Sequence, residues 1–183
     1  MRQQVSAGAV IFRREADGTV KFLLLYHGRS YWYFPKGRLE HGERVATAFL
    51  REVEEETGIK RHELRIVPGF RAVDRFVFSG VPFPHEKRRR EWRRDARQPI
   101  SKTVIFYLAE TKKREISISG AHEEGFGWFT HSEALRILRH KNTQAIIKRA
   151  YEFIHKNLPG ATTGANRQSA QRHAASTSTP GRH

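Results

Sequence analysis

Between Arg44 and Thr57 the chain contains neither glycine nor proline, and Gly58 follows at once. An unbroken run closed by glycine predicts a helix over 44–57 with a left-handed cap at Gly58. On that helix Glu52, Glu55 and Glu56 fall at i, i+3 and i+4, so their carboxylates gather on one face. Ala46, Phe49, Leu50 and Val53 read as the opposite, apolar stripe. Acidic helix faces are ordinarily just solvated. Like charges at this spacing repel, however, and a Lys or Arg at i+4 would relieve them. Arg51 lies beside the cluster and reads as able to orient only part of it. The clustered carboxylates are better explained by a hard divalent cation with oxygen ligands. Mg2+ fits best when a substrate brings phosphates, with Mn2+ as the alternative.

Length and composition narrow the surroundings of this helix. A chain of 183 residues suits one domain with a proper core. No apolar run approaches the roughly 20 residues of a membrane span, and the short run before Arg13 and Arg14 does not read as a signal peptide. A cytoplasmic location and a monomeric state are the expectations. Cysteine is absent, which excludes disulfides, thiolate catalysis and cysteine-bound zinc. The net charge of +15 favours polyanionic partners such as polyphosphates, inositol phosphates or nucleic acid. Part of it lies in a cluster at 85–97, inside a basic segment at about 80–98 that reads as a solvated loop, an extension of a phosphate site or a surface for non-specific RNA binding.

Val5–Phe12 and Val20–Tyr26 read as strands, the run Leu23, Leu24, Leu25 marking one buried on both faces. A loop rich in aromatics follows over 27–36, and then the acidic helix. Leu64–Phe78 reads as one or two strands, Lys102–Ala109 as a clear apolar strand, and Ile116–Ile118 and Gly127–Phe129 as short ones. Thr130 and Glu133 form a capping box before Ala134–Leu138. A last helix over Thr143–Leu158 carries Ile146, Ile147, Ala150, Ile154 and Leu158 on one stripe. This alternation predicts an α/β domain with a mixed sheet over 1–159, and a disordered basic tail over 160–183.

Residues 37–59 follow the pattern G-x5-E-x7-R-E-U-x-E-E-x-G-U, with U aliphatic, through Gly37, Glu43, Arg51, Glu52, Val53, Glu55, Glu56, Gly58 and Ile59. This stretch resembles the Nudix box of metal-dependent hydrolases that cut a nucleoside diphosphate linked to another group. The resemblance implies a Nudix α/β/α sandwich. Over about 7–154 the chain is similar to the asymmetrical diadenosine tetraphosphate hydrolases. The anchors are 7–12, 22–25, 32–37 leading into the box, 68–70, 102–109 and 124–129. That branch implies Mg2+-dependent cleavage of a small dinucleotide to ATP and AMP. The alternatives are an RNA 5'-pyrophosphohydrolase, a diphosphoinositol polyphosphate phosphohydrolase and, more remotely, a non-catalytic nucleic-acid-binding protein on a Nudix fold. Four retained, mutually repelling acids speak against the last.

Within the box the resemblance makes Glu52, Glu55, Glu56 and the Gly37 carbonyl the metal ligands. Glu52 and Glu56 are the ranked candidates for the base, while Glu43 supports the site and Arg51 orients a glutamate. Lys36 matches the family's phosphate-contacting lysine, and Lys102 opens a strand expected to run nearby. Tyr31 and Phe76 stand where relatives place a His and a Tyr that contact nucleotide or phosphate, with Trp32 and Tyr33 alongside. Two departures matter. Relatives carry a further glutamate six residues before the Trp of the last strand. Here that position is His122, which leaves Glu123 and Glu124 both open as metal or base candidates. The basic segment at 80–98 is also longer than the relatives' connection.

Overall fold

The computed structural model describes residues 2–28, 31–79, 99–118 and 123–158. The basic segment at 80–98, His122 and the tail from 160 lie outside them. The spine of the sheet is β1 (Arg2–Arg14), which runs parallel to β6 (Pro99–Thr111) from Arg2↔Ile100 to Phe12↔Glu110. At its far end β1 pairs antiparallel with β2 (Val20–Tyr26), and nearer its start with β4 (Lys36–Arg38). Strand β5 (Leu64–Ser79) lies antiparallel outside β6, while β3 (Trp32–Tyr33) and β7 (Gly125–Thr130) both pair with β2. The order is β3-β2-β1-β6-β5, with β4 on β1 and β7 on β2, and one parallel pair makes the sheet mixed.

Both faces of this sheet are covered. Ala7, Ala9, Ile11, Leu23, Leu25 and Ala109 pack on the side of α1 (Val45–Thr57), against Ala48, Phe49 and Val53. Val10, Phe12, Phe22, Leu24, Phe106 and Leu108 pack on the other side. There they meet α2 (His131–Ile137) and the Ile146, Ile147, Ala150 and Ile154 stripe of α3 (Lys141–Asn157). The consecutive leucines of β2 are therefore divided between two cores, which is why no polar residue alternates with them. Three layers result. The expected sandwich is observed, and Thr130 and Glu133 close the capping box at the start of α2.

Three expectations need correction. Ala46 is exposed and Leu50 only half-buried, whereas Ala48 and Glu52 are buried. The acids thus flank the apolar stripe of α1 rather than oppose it, because Glu52 and Glu56 border the face carrying Phe49 and Val53. Ile116–Ile118 joins no ladder: Ile116 is buried and the Ser117 N–H donates to Thr57 O at 3.1 Å. The aromatic loop is not structureless, since β3 lies within it and β4 begins at its last residue. Among the described residues no helix is long and apolar enough to cross a membrane.

Gly58 ends α1 at φ 67°, donating to Glu54 O at 2.9 Å, and a Cβ there would lie 3.1 Å from Ser117 Cβ. Gly58→Ala is expected to lower stability by about 1–2 kcal/mol, the cost of a side chain in the left-handed region. Urea denaturation measures it, and an unchanged midpoint would contradict the cap.

Candidate active site

The site begins with two backbones brought unusually close. A Cβ on Gly8 of β1 would meet Pro35 O at 2.3 Å and Lys36 Cβ at 2.6 Å. A Cβ on Gly37 would fall 1.8 Å from the carboxyl carbon of Glu52. Glycine at both places lets β4 be pressed between β1 and α1. The Ala9 N–H donates to Pro35 O at 3.0 Å, and the Lys36 N–H donates to Glu56 Oε2 at 2.8 Å. Gly37 and Lys36 are thus set directly on the inner carboxylates of the helix.

Arg51 ties the remaining acids together. Its Nε and Nη2 donate to the two carboxylate oxygens of Glu43 at 3.0 and 2.9 Å. Nη1 reaches Glu52 Oε1 at 2.9 Å and Glu55 Oε2 at 3.0 Å, and Nη2 also reaches Arg38 O at 2.9 Å. One guanidinium therefore holds three carboxylates, more than the neighbouring position suggested. The hydrogen bonds from Arg51, and then from the Glu40 N–H, hold the Glu43 carboxyl below its usual range. Burial raises Glu52 against the pull of Arg51.

Glu56 is the least compensated of the set. Burial pushes its carboxyl up to about 8, with Glu123 and Glu52 adding to the rise and Lys36 opposing it. Lys102 is pushed down to about 8, first by burial and then by the charges of Lys36 and Arg38, while Glu56 and Glu52 act the other way. Lys36, Lys102, Glu52 and Glu56 therefore lie near enough for their charges to act on one another, with burial the leading cause of the shift at Lys102, Glu52 and Glu56.

Glu123 belongs to this group as well. Its charge bears on Glu56, its side chain is 4% exposed, and its Oε1 lies 3.7 Å from His27 Nδ1. Glu124 is exposed, with its N–H on Tyr26 O at 2.7 Å and its carboxylate against Gly28. The other candidates divide. Phe76 is 38% exposed and stands opposite Lys102 in the β5–β6 register, so the two share a face. Tyr31 stacks on Tyr33 at 5.8 Å and meets His140 edge-on at 6.0 Å. The Trp32 ring packs on Tyr26 and Phe129 at 5.0 and 5.1 Å, an aromatic cluster serving the core.

Tyr33 was expected alongside the aromatic platform, but its partners Asp74 and Asn142 were not anticipated. The Tyr33 hydroxyl donates to Asp74 Oδ2 at 2.7 Å, and Asn142 Nδ2 donates to Asp74 Oδ1 at 3.0 Å. The available signal was an acid at a core-facing position of an otherwise apolar strand face, between Ala72 and Phe76.

The donor chemistry suits a hard divalent cation, since every candidate ligand is oxygen and Glu56 is a desolvated acid with a surplus of negative neighbours. Among the described residues no three acidic or histidine side chains are already gathered as a cage. Arg51 holds one carboxylate oxygen of Glu52 and one of Glu55.

A three-layer mixed sheet with this glycine, arginine and glutamate arrangement beneath one strand defines a class of phosphoanhydride hydrolase. The chain belongs to the NUDIX domain family, whose model matches residues 2–151. It is a Nudix pyrophosphohydrolase, a class that generally uses divalent metals. It is 32% identical to the asymmetrical bis(5'-nucleosyl)-tetraphosphatase of Mus musculus over 81% of this chain and 94% of the relative. To the Sus scrofa protein of the same name it is 31% identical, with the same coverage. The fold superposes on a C. elegans Ap4A hydrolase binary complex with a TM-score of 0.65 at 22% identity, covering 84% of this chain and 98% of the other.

The raised Glu56 carboxyl has a measurable consequence. Its folded-state value lies above its unfolded one, so the native state holds a proton that the unfolded chain releases. The stability linked to it is complete below the ordinary carboxylate range and is lost as pH rises toward about 8. In metal-free protein, Glu56→Gln is expected to gain stability on the parent steadily between about pH 5 and about pH 8. A pH-independent difference in urea midpoint would show that Glu56 is not desolvated.

Proposed function

We propose that the protein is a Mg2+-dependent hydrolase of dinucleoside polyphosphates that splits diadenosine tetraphosphate into ATP and AMP. The observation that carries this reading is the convergence of Glu52, Glu56, Lys36 and Lys102, whose charges act on one another, with the Lys36 N–H on Glu56 at 2.8 Å. It offers acids for a cation and a proton on one side and ammonium groups for phosphates on the other. The similarity to tetraphosphatases over nearly their whole length supports the choice of substrate.

Glu52, Glu55, Glu56 and the Gly37 carbonyl would hold the ion, with Glu123 the better placed of the two later acids. When bound, Mg2+, or Mn2+ in its place, supplies Lewis-acid neutralisation of phosphate charge. The chain's own residues do the rest. Lys36 and Lys102 draw in the polyphosphate and balance charge that grows on the leaving oxygen. Hydrolysis joins the oxygen of water to one phosphorus and breaks that phosphorus's bond to the bridging oxygen, which leaves with the neighbouring phosphoryl group. The water proton passes to a carboxylate. Without a cation, burial keeps Glu56 protonated near neutral pH; with one held beside it, Glu56 would be ionised and able to accept the proton, with Glu52 the second candidate. Arg51 and Glu43 keep the acids in place. Tyr31 and Phe76 offer faces to a nucleobase, an aromatic platform that tolerates either end of a symmetrical dinucleotide.

Glu56→Gln preserves shape and removes both charge and basicity. Turnover of diadenosine tetraphosphate is expected to fall on the order of 10^2-fold or more while the fold survives. A folded variant with the parental rate would remove Glu56 from the site. Chromatography of products from the parent with Mg2+ tests the substrate. The panel contains diadenosine tetraphosphate, 5'-triphosphorylated RNA and a diphosphoinositol polyphosphate. ATP and AMP from the first should appear fastest, and faster release of pyrophosphate from the RNA would promote that alternative.

A further inference from the structure

We infer that Tyr33 is a positioning residue for Lys36, its ring seating the lysine's ammonium and being held in turn by Asp74 and Asn142. This rests on the reading of Lys36 as a phosphate ligand. Lys36 is fixed at one end, where its N–H meets Glu56. Its other end, Nζ, lies 5.5 Å from the centroid of the Tyr33 ring. A lysine has a long, freely rotating stem, and a phosphate contact made by an unrestrained ammonium loses much of its worth to ordering. An aromatic face beneath the ammonium removes part of that loss before substrate arrives.

The ring itself has little freedom. Tyr33 is 2% exposed, its hydroxyl donates to buried Asp74 at 2.7 Å, and Asn142 from α3 completes that carboxylate at 3.0 Å. Tyr31 stacks on it with planes 18° apart, and Phe34 and Phe106 pack around it at 5.6 and 6.0 Å. Donating to a carboxylate also drives electron density into the phenol ring, which strengthens its hold on a cation. A tyrosine wanted only for packing would not need an acid buried with it, since a phenylalanine fills the same volume without a polar partner. The chain Asn142–Asp74–Tyr33–Lys36 thus links α3, β5, β3 and β4 to one ammonium group.

Inorganic tripolyphosphate, titrated calorimetrically into the full chain, reads the lysine without requiring turnover. Tyr33→Leu is expected to weaken it by roughly 2- to 30-fold, the range of one cation–π contact. With diadenosine tetraphosphate as substrate, the same change should raise KM more than it lowers kcat. Tyr33→Phe, which restores the ring, should recover most of the affinity. In a Lys36→Ala background Tyr33→Leu should cost nothing further, which a general packing defect would not reproduce. An equal loss in both backgrounds would overturn the proposal. Should Tyr33→Leu not fold, proton NMR of the parent decides: the Lys36 Hε resonances, assigned by their absence in Lys36→Ala, should lie upfield of the other lysines. Resonances within the common lysine envelope would equally overturn it. Because the cycle is read on tripolyphosphate, failure to cleave the dinucleotide counts against the substrate and not against Tyr33.

Discussion

A strand backbone laid directly on buried carboxylates governs this molecule. With no side chain at Gly37, the β4 peptide reaches Glu52, and the Lys36 N–H reaches Glu56. That contact fixes the separation of α1 from the sheet, the direction in which the Lys36 side chain leaves, and the depth at which two acids sit. Gly8 gives β4 the corresponding clearance from β1. Neither approach leaves room for a methyl group. The spacing of sheet and helix here is therefore set by backbone contact rather than by the volume of core side chains.

Gathering acids under a strand has an electrostatic cost, and the structure divides it. Arg51 neutralises the outer part, holding Glu43, Glu52 and Glu55 through its planar fork. A lysine, with three donors on one atom, could not make the bidentate pair to Glu43 and also reach Glu52, Glu55 and Arg38 O. Glu56 is given a peptide N–H and the fields of Lys36 and Lys102, which do not offset its burial, so its charge stays unfavourable. A fold selected only for stability would have placed an apolar residue there, since a buried uncompensated acid has a cheaper isostere.

Much of the architecture was legible because it follows from short-range rules. The helix could be bounded by Gly58, the doubly buried β2 by its three leucines, and the start of α2 by Thr130 and Glu133. The box residues could be named because they match one contiguous pattern, of which Arg51, Glu52, Glu55 and Glu56 share α1. What stayed hidden depends on segments far apart in the chain. Nothing local distinguishes Glu123 from Glu124. Only the β2–β7 pairing turns one toward Glu56 and the other outward. Tyr33 and Asp74 are 41 residues apart and meet because β3 and β5 approach a common face. Ala46 was misplaced because the acids were assumed to stand opposite the apolar stripe, when two of them are part of its border.

The parallel pairing of β1 with β6 sets an order on how the chain can come together. Helix α1 and the hairpin of β1 with β2 can form from neighbouring residues, but β1 has no parallel partner until 99–111 is available. During synthesis the first strand would leave the ribosome with one long edge unpaired, across an interval of more than eighty residues. An exposed edge of that length invites pairing with other chains. Here its first residues, Arg2, Gln3 and Gln4, are polar, and Gly8 interrupts the apolar run. The glycine that makes room for β4 in the finished protein also weakens the strand as a template while it waits.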